Sequence, residues 1–238
     1  MTKTTMPICF EAIIFDWDAT LANTQQAILF SFQQTLKKIN LTIPDKHIKR
    51  CIGIGTAETF REILQQKTIK QQQQQPIDEE LIKQLVESKS QIQISLKNKI
   101  HLFPGAIEIL NTVKQNKIKI GLASMNNQSV INTLIYDKKI EKYFQSIVTA
   151  EDVTQSKPHP EIFLKCAQQL NTTPLKCIVI EDSLVGVKAA KTAGMHCIAI
   201  TTGAYNKKEL EQEKPNITVT NLKQAQTYLT KIIPTLNR

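Results

Sequence analysis

The strongest constraint on the fold is a series of short apolar segments that alternate with segments of helical periodicity. The apolar segments are rich in Ile, Val and Ala, so we predict that they are strands. Strands that alternate with helices are typical of an α/β domain with a mainly parallel sheet. The predicted strands cover residues 12–16, 118–124, 147–149, 177–182, 197–201 and, with the weakest pattern, 217–219. The predicted helices between them cover residues 104–116, 127–136, 160–170, 184–194 and 221–232.

The interval between the first two predicted strands is much longer than the others. It contains helical patterns at 25–39, 56–66 and 78–96 and no convincing strand. A helical block between two strands of one sheet indicates an inserted module. We therefore expect a core domain formed by residues 1–23 and 104–238 and an all-helical cap formed by residues 24–103. We interpret the glutamine run at 71–75 as a solvated turn or a frayed helix end.

The charge of the chain does not indicate a nucleic-acid partner. Thirty basic and 21 acidic residues give a net charge of +9, but only three of the basic residues are Arg, and aromatic residues form 5% of the chain. Nucleic-acid binding relies on Arg and on stacking aromatic rings, so we expect a solvated, Lys-rich surface that attracts anionic substrates.

Other features of the sequence indicate a cytoplasmic protein. No run of about 18 apolar residues is present, so we expect no membrane association. The apolar stretch near the start is short and interrupted by Glu11, which does not fit a secretory signal. The five cysteines have neither paired nor zinc-binding spacing, as expected for reduced thiols. With no heptad repeat, we expect a monomer or a weak dimer.

Two carboxylates follow the first predicted strand. The sequence Ala-Ile-Ile-Phe-Asp-Trp-Asp places Asp16 and Asp18 two residues apart, so in an extended chain both side chains point to one side. In open α/β sheets, ligands bind at the carboxyl ends of the strands, where these residues fall. Alone, the pair is equally compatible with a polar turn that ends the strand.

A second acidic pair, Glu181 and Asp182, ends the fourth predicted strand. At the edge of one sheet it would face Asp16 and Asp18, and these carboxylates would repel each other unless a cation joined them. A small number of oxygen ligands favours Mg²⁺, which keeps water ligands and recruits substrate phosphates. The two segments therefore predict a Mg²⁺ site.

Two further features suit a phosphate group. Ser124 ends a strand and precedes a helix, so its hydroxyl and the amides of Met125 and Asn126 could bind an anion. Lys157, in Ser-Lys-Pro-His-Pro-Glu, also precedes a helix and supplies a point charge for a phosphoryl oxygen. Each signal is weak alone, since many strands end in Ser and most Lys residues are solvated.

Taken in order, these four motifs resemble those of the haloacid dehalogenase superfamily of hydrolases. The resemblance covers nearly the whole chain, and it is greatest for the subgroup with a helical cap inserted after the first strand, which includes phosphoglycolate-type phosphatases and beta-phosphoglucomutases. Residues 180–195, Ile-Glu-Asp-Ser-Leu-Val-Gly-Val-Lys-Ala-Ala-Lys-Thr-Ala-Gly-Met, are especially similar. The resemblance implies a doubly wound, Rossmann-like core with the cap closing over the site.

The resemblance also implies catalytic roles. Asp16 would be the nucleophile that forms an aspartyl-phosphate, and Asp18 would protonate the leaving oxygen and later activate water. Ser124 and Lys157 would hold the phosphoryl oxygens. Thr20 would form a hydrogen bond near the nucleophile, as part of the phosphate site.

The implied metal is Mg²⁺. Asp16, the backbone carbonyl of Asp18, and Asp182 would bind it. Glu181 would either bind the ion directly or orient one of its water ligands, and we favour the second role. This arrangement requires Asp182 to lie near Asp16, and it requires that no salt bridge blocks the approach of Asp16 to phosphorus.

The sequence departs from the family pattern at three places in ways that bear on function. Position 19 is Ala where the family usually has Gly, and if that residue takes a positive φ, Ala costs about 1 kcal/mol or more. The mutases typically carry a His at the position of Ile28 and an Arg in the cap loop, which here is the Arg-free segment 53–58. Asp18 disfavours dehalogenation, which needs no acid there.

We therefore predict a cytoplasmic, Mg²⁺-dependent phosphatase acting on a small phosphorylated metabolite. The alternatives are a beta-phosphoglucomutase-like phosphotransferase and a catalytically weakened relic that binds phosphate.

Overall fold

The computed structural model describes residues 9–70 and 77–233, and a six-stranded parallel sheet runs through its centre. The strands are β1 (Ala12–Phe15), β2 (Ala22–Asn23), β3 (His101–Leu102), β4 (Lys119–Ala123), β5 (Ser146–Val148), β6 (Cys177–Glu181), β7 (His196–Ile200) and β8 (Ile217–Val219). The helices are α1 (Gln25–Lys37), α2 (Asp45–Cys51), α3 (Thr56–Lys70), α4 (Glu79–Ser95), α5 (Ala106–Gln115), α6 (Gln128–Asp137), α7 (Glu161–Gln169), α8 (Leu184–Thr192), α9 (Lys207–Gln212) and α10 (Leu222–Ile232). The sheet order is β5-β4-β1-β6-β7-β8.

Helices cover both faces of this sheet because successive strand side chains point to opposite faces. Ile13 and Phe15 of β1 belong to an apolar cluster that includes buried residues of α5, α6 and α10. Ala12 and Ile14 belong to a second cluster that includes buried residues of α7 and α8. The prediction of a doubly wound α/β core with a parallel sheet is confirmed.

Helices α1–α4, which we call the cap helices, lie between β2 and β3 in the chain. They enclose a third apolar cluster, whose members include Phe32 on α1, Phe60 on α3 and Leu85 on α4. The antiparallel pair β2–β3 brings the two ends of this segment together, with Ala22 opposite Leu102. The division at residues 23/24 and 103/104 stays a prediction, and the glutamine run at 71–75 lies outside the described residues.

Two short strands, β2 and β3, and two short α-helices, α2 and α9, were not predicted. Helix α2 follows Pro44 and has seven residues, too few for a periodic pattern. Helix α9 has six residues but does carry a start signal, because Asn206 and Glu209 form a capping box. Within the described ranges, no helix combines the length and the apolarity needed to span a lipid bilayer.

Candidate active site

The carboxyl ends of three adjacent strands bring the predicted site residues together. Strand β1 lies between β4 and β6, so the residues that follow β1 and β4 meet the end of β6. Asp16 follows β1, Ser124 follows β4, and Glu181 ends β6. The geometry of a parallel sheet therefore converts three distant chain segments into one site.

Every buried charged side chain that the structure describes belongs to this site. These side chains are Asp16, Asp18, Lys89, Lys157, Glu181 and Asp182. With all of them ionised, four carboxylates and two ammonium groups give the site a net charge of −2. Burial of uncompensated charge costs several kcal/mol per ion, so a site of this composition favours a divalent cation.

Lys157 lies between two of the carboxylates. Its Nζ atom donates to Asp16 Oδ1 at 2.7 Å and to Glu181 Oε1 at 2.8 Å, and its side chain is fully buried. Burial alone would lower the pKa of Lys157, but Asp16 and Glu181 raise it overall, so this lysine is charged. Lys157 thus compensates part of the negative charge.

Asp16 keeps one oxygen available despite this salt bridge. Oδ1 accepts the bond from Lys157, while no donor among the described residues is bonded to Oδ2. Burial raises the pKa of Asp16 well above its usual range; the attraction of Lys157 opposes this shift, and Glu181 adds to it. The salt bridge therefore fixes the carboxylate without occupying both of its oxygens.

Asp182 lies near Asp16, as the metal site requires. Asp16, Glu181 and Asp182 each offer an oxygen, and these atoms lie within 4.8 Å of one another. Burial raises the pKa of Asp182 well above its usual range, and the charges of Glu181 and Asp16 raise it further. Oxygen ligands that repel one another in a buried site fit Mg²⁺.

Glu181 is fully engaged by groups of the protein. Oε2 accepts bonds from the Ser183 amide at 2.7 Å and from Ser183 Oγ at 3.0 Å, while Oε1 accepts the bond from Lys157. Helix α8 packs so closely that a Cβ atom at Gly186 would lie 1.7 Å from Oε1. Both oxygens of Glu181 are therefore paired with protein groups, and its direct or indirect role at the metal stays a prediction.

Two neighbours fix the side chain of Asp182. Thr20 Oγ1 donates to Oδ1 at 3.3 Å, so its hydroxyl lies on a candidate metal ligand, and the phosphate contact predicted for Thr20 stays a prediction. Gly203, which the sequence reasoning missed, follows β7, and a Cβ atom there would lie 1.8 Å from Oδ2. Only glycine allows this approach of the backbone.

Asp18 faces the segment that follows β4. Asn126 Nδ2 donates to Asp18 Oδ2 at 3.2 Å, and Ser124 Oγ lies 3.5 Å from the same oxygen. Burial raises the pKa of Asp18, although the charge of Lys89 and the hydrogen bond from Asn126 lower it in part. A carboxyl group with a raised pKa is suited to general acid catalysis.

The predicted phosphate-binding segment surrounds Asp18. Ser124 Oγ accepts a bond from the Asn126 amide at 3.1 Å, so that amide is already paired. The Met125 amide, by contrast, has no acceptor among the described residues, and the Met125 side chain lines a cavity beside Asp16. The predicted roles of Ser124, Met125, Asn126 and Lys157 in phosphate binding stay predictions.

Lys89 on α4 is a site residue that the sequence reasoning missed. Its Nζ atom donates to Gln93 Oε1 at 2.5 Å and to Asn126 Oδ1 at 3.3 Å, and the side chain lines the same cavity. Burial lowers the pKa of Lys89 to about 8, against the attraction of Asp18. A signal existed in the sequence, because Lys89 continues the buried stripe that Ile82 and Leu85 begin on α4.

The backbone at Ala19 has the positive φ on which the predicted cost of an Ala at this position depends. Ala19 has a φ of 57°, in the left-handed region that favours glycine, so the substitution of Ala for the usual Gly does strain the chain. The Ala19 amide donates to the Ala22 carbonyl at 2.9 Å, and Thr202 Oγ1 donates to the Ala19 carbonyl at 2.5 Å. These bonds hold the strained turn in place.

The cap helices close over the site. The cavity beside Asp16 and Asp18 is also lined by Lys89 and by Gly53 and Gly55 of the α2–α3 segment. Asp16, Asp18 and Lys89 are all buried beneath these helices, so the structure represents a closed arrangement.

Comparisons with known proteins agree with this geometry. A family model described as haloacid dehalogenase-like hydrolase matches residues 13–200. A Thermotoga maritima protein named phosphorylated carbohydrates phosphatase is 30% identical over 188 residues, which cover 79% of this chain and 83% of the relative. A solved beta-phosphoglucomutase from Clostridium difficile has a TM-score of 0.82 at 30% identity and covers 94% of this chain and 97% of its own. A hydrolase from Pseudomonas syringae shares the fold, with a TM-score of 0.83 at 24% identity over 93% of this chain and 98% of its own.

The chain therefore belongs to the haloacid dehalogenase-like hydrolase family, and it is a phosphatase-type enzyme of that family.

Proposed function

We propose that the protein is a Mg²⁺-dependent phosphatase that hydrolyses a small phosphorylated metabolite, in particular a phosphorylated sugar, through an aspartyl-phosphate on Asp16. The observation that carries this proposal is the buried site with four carboxyl groups and only two ammonium groups, which gathers Asp16 and Asp182 within reach of one ion and leaves Asp16 Oδ2 without a donor among the described residues. The cytoplasmic location and the monomeric or weakly dimeric state stay predictions.

Asp16 and Asp18 would carry the two chemical steps. In the first, Asp16 Oδ2 forms a bond to phosphorus while the bond to the leaving oxygen breaks, and Asp18 gives that oxygen its proton. In the second, Asp18 takes a proton from a water molecule whose oxygen bonds to phosphorus, and the Asp16–phosphorus bond breaks. Inorganic phosphate leaves, and both carboxyl groups return to their first states.

Mg²⁺ would be held by Asp16, Asp182 and the backbone carbonyl of Asp18, and its charge would reduce the repulsion between the carboxylate and the phosphate. Thr20 and Gly203 fix the orientation of Asp182. Glu181 acts through Lys157, since the bond between them places the ammonium group beside Asp16, where it can reach a phosphoryl oxygen.

The cap helices would admit the substrate and then exclude water. Asp16 and Asp18 are buried beneath these helices, so substrate would reach them while the helices are displaced. Closure then removes bulk water, which would compete for the phospho-enzyme and weaken the electrostatic interactions of the site.

Two features support a phosphorylated sugar as the substrate. The Thermotoga maritima relative, at 30% identity, is named for phosphorylated carbohydrates. The cavity is also lined by the polar side chains of Thr56, Thr59, Lys89 and Asn126, which are groups that bind sugar hydroxyls.

The test is release of inorganic phosphate from a generic aryl phosphate and from a panel of sugar phosphates. We expect release that needs Mg²⁺ and stops with a chelator. Asp16→Asn should lower it about a thousandfold or more, because loss of the nucleophile removes covalent catalysis. The exposed Asp45 provides a matched control, since Asp45→Asn should retain activity. Turnover that survives in Asp16→Asn, or a folded protein without turnover on the whole panel, would contradict the proposal.

A phosphotransferase is the second candidate, because Lys89 is a buried cation that could bind a second phosphate group. The similarity to the Clostridium difficile beta-phosphoglucomutase supports it as well. Against it stand Ile28 and the Arg-free segment 53–58, both of which line the cavity or flank it. Efficient interconversion of hexose 1- and 6-phosphates with a bisphosphate primer would favour this candidate over hydrolysis.

A further inference from the structure

A second cluster of metal-ligating side chains lies between two of the cap helices. His47 and Cys51 are four residues apart on α2 and therefore share one helix face, and Glu62 on α3 faces both. His47 Nε2 lies 3.5 Å from Glu62 Oε1, and Cys51 Sγ lies 3.8 Å from Glu62 Oε2. A ligand atom from each residue lies within 4.8 Å of the other two.

The nitrogen of His47 in this cluster lacks a hydrogen-bond partner. His47 Nε2 is shielded from solvent, and none of the described residues forms a hydrogen bond with it. The carboxylate at 3.5 Å is too distant for a well-formed bond. Because buried polar atoms normally have a partner, the unpaired nitrogen indicates that a ligand belongs between these side chains.

The distances fit one tetrahedral transition-metal ion. Zinc binds thiolate sulfur at about 2.3 Å and imidazole nitrogen or carboxylate oxygen at about 2.0–2.2 Å, so tetrahedral ligand atoms lie about 3.3–3.6 Å apart. His47 Nε2 and Cys51 Sγ lie 3.5 and 3.8 Å from different oxygens of Glu62, so the carboxylate must turn to present one oxygen to an ion between all three side chains. A nitrogen–sulfur–oxygen set favours zinc over Mg²⁺, which prefers oxygen ligands.

We propose that His47, Cys51 and Glu62 bind one ion of the Zn²⁺ class, with water as the fourth ligand. Binding forms the metal–sulfur bond as the Cys51 thiol releases its proton to solvent. This site is separate from the Mg²⁺ site, since it uses none of the carboxylates of the sheet edge.

The location gives this ion a structural consequence for the active site. Cys51 ends α2, and both Cys51 and the following Ile52 line the active-site cavity. The adjacent Arg50 contacts the core, because its guanidinium pairs with Glu209 at 2.9 Å and its carbonyl accepts a bond from Tyr205. An ion that joins α2 to α3 would therefore hold the wall of the cavity in one arrangement.

A reactive thiol is a weaker explanation for the cluster. Burial raises the pKa of Cys51 to about 12, and the charge of Glu62 contributes to the shift. Without a metal the thiol is therefore protonated, and a protonated thiol is a poor nucleophile.

The first test is metal content. The full-length protein, stripped with a chelator, is dialysed against Zn²⁺ with excess Mg²⁺, which fills the acidic cluster at the sheet edge. We expect one zinc per chain by elemental analysis and a higher melting temperature in proportion to zinc binding. The partly exposed Glu62 allows substitution without loss of the fold, and Glu62→Gln should weaken zinc binding about tenfold or more.

The second test reports the sulfur ligand itself. Cobalt(II) replaces zinc, and a thiolate ligand gives an intense near-ultraviolet charge-transfer band. We expect this band in the wild-type protein, its loss in Cys51→Ser, and its retention in Cys9→Ser, which removes the exposed free thiol. Circular dichroism of each metal-free variant verifies the fold.

Two results would overturn the proposal. One is the absence of zinc from the Mg²⁺-saturated protein. The other is zinc binding that persists in Glu62→Gln and Cys51→Ser but disappears in Asp182→Asn, which would assign the ion to the sheet edge. Both assays work without substrate, so their outcome is independent of phosphatase activity.

Discussion

Lys89 offers the sharpest test of the electrostatics of this site. It is a buried lysine, and burial lowers its pKa from 10.5 to about 8 even though Asp18 attracts its charge. That change in pKa corresponds to a penalty of about 3 kcal/mol for keeping Lys89 charged in the folded protein. Lys89→Met removes the charge and retains much of the side-chain volume.

The sign of the pH dependence follows from the direction of the shift. Below pH 8, Lys89 is charged in both the folded and the unfolded protein, so the penalty is constant. Between about pH 8 and 10.5 the unfolded chain binds more protons than the folded one, so stability rises with pH. Above pH 10.5 the penalty is gone. Lys89→Met lacks this rise.

The difference in unfolding free energy between wild type and Lys89→Met isolates this effect. Its absolute value at pH 7 also includes the hydrogen bonds that Lys89 gives to Gln93 and Asn126, each worth about 1 kcal/mol. The change of this difference with pH does not include these hydrogen bonds. We expect the unfolding free energy of the wild type to rise by about 3 kcal/mol relative to that of the variant between pH 8 and 10.5.

Urea denaturation followed by tryptophan fluorescence measures this difference. Trp17, the single tryptophan, is buried in the apolar core, so its emission reports unfolding. Lys83→Met, on the exposed face of the same helix, is the matched control and should show no such gain. If the difference in unfolding free energy between wild type and Lys89→Met stays constant with pH, the assignment of a lowered pKa to a buried Lys89 is refuted.

Three further predictions concern the backbone and the metal site. Mg²⁺ should raise the melting temperature of the wild type but not of Asp182→Asn, measured by differential scanning fluorimetry; an equal rise in both would place the ion elsewhere. Gly186→Ala should destabilise the fold by about 2 kcal/mol or more in urea titration, because its Cβ would lie 1.7 Å from Glu181 Oε1. Ala19→Gly should change stability by less than about 1 kcal/mol, since relief of the positive φ is offset by loss of a buried methyl group. A tenfold rise in kcat for Ala19→Gly would instead show that Ala19 distorts the site.

The sheet and the placement of the acidic residues could be predicted from the sequence because both follow from local patterns. Apolar segments identified all six strands of the large sheet, and parallel strands necessarily bring their carboxyl ends to one edge. The proximity of Asp16 and Asp182 then depended only on the adjacency of β1 and β6. No local pattern, by contrast, marked the two-residue strands β2 and β3.

The partners of individual side chains could not be predicted, because they depend on tertiary packing. Thr20 donates to Asp182, 162 residues away, and no pattern near Thr20 indicates this. Lys89 lies on the buried stripe of α4, but only the packing of that helix against α6 places its ammonium group beside Asn126. The buried stripe predicts that Lys89 is buried, but the position of its ammonium group depends on the tertiary fold.

The charge of the site constrains the order in which its ligands can bind. A phosphate monoester carries up to two negative charges near neutral pH, and it would enter a buried region with four carboxyl groups and only two ammonium groups. Repulsion between like charges in such a region is severe, because little solvent screens it. Lys157 cannot remove this repulsion, since Asp16 and Glu181 already share its charge. A divalent cation that binds first reduces this repulsion, so substrate affinity should depend steeply on Mg²⁺, whereas Mg²⁺ should bind in the absence of substrate.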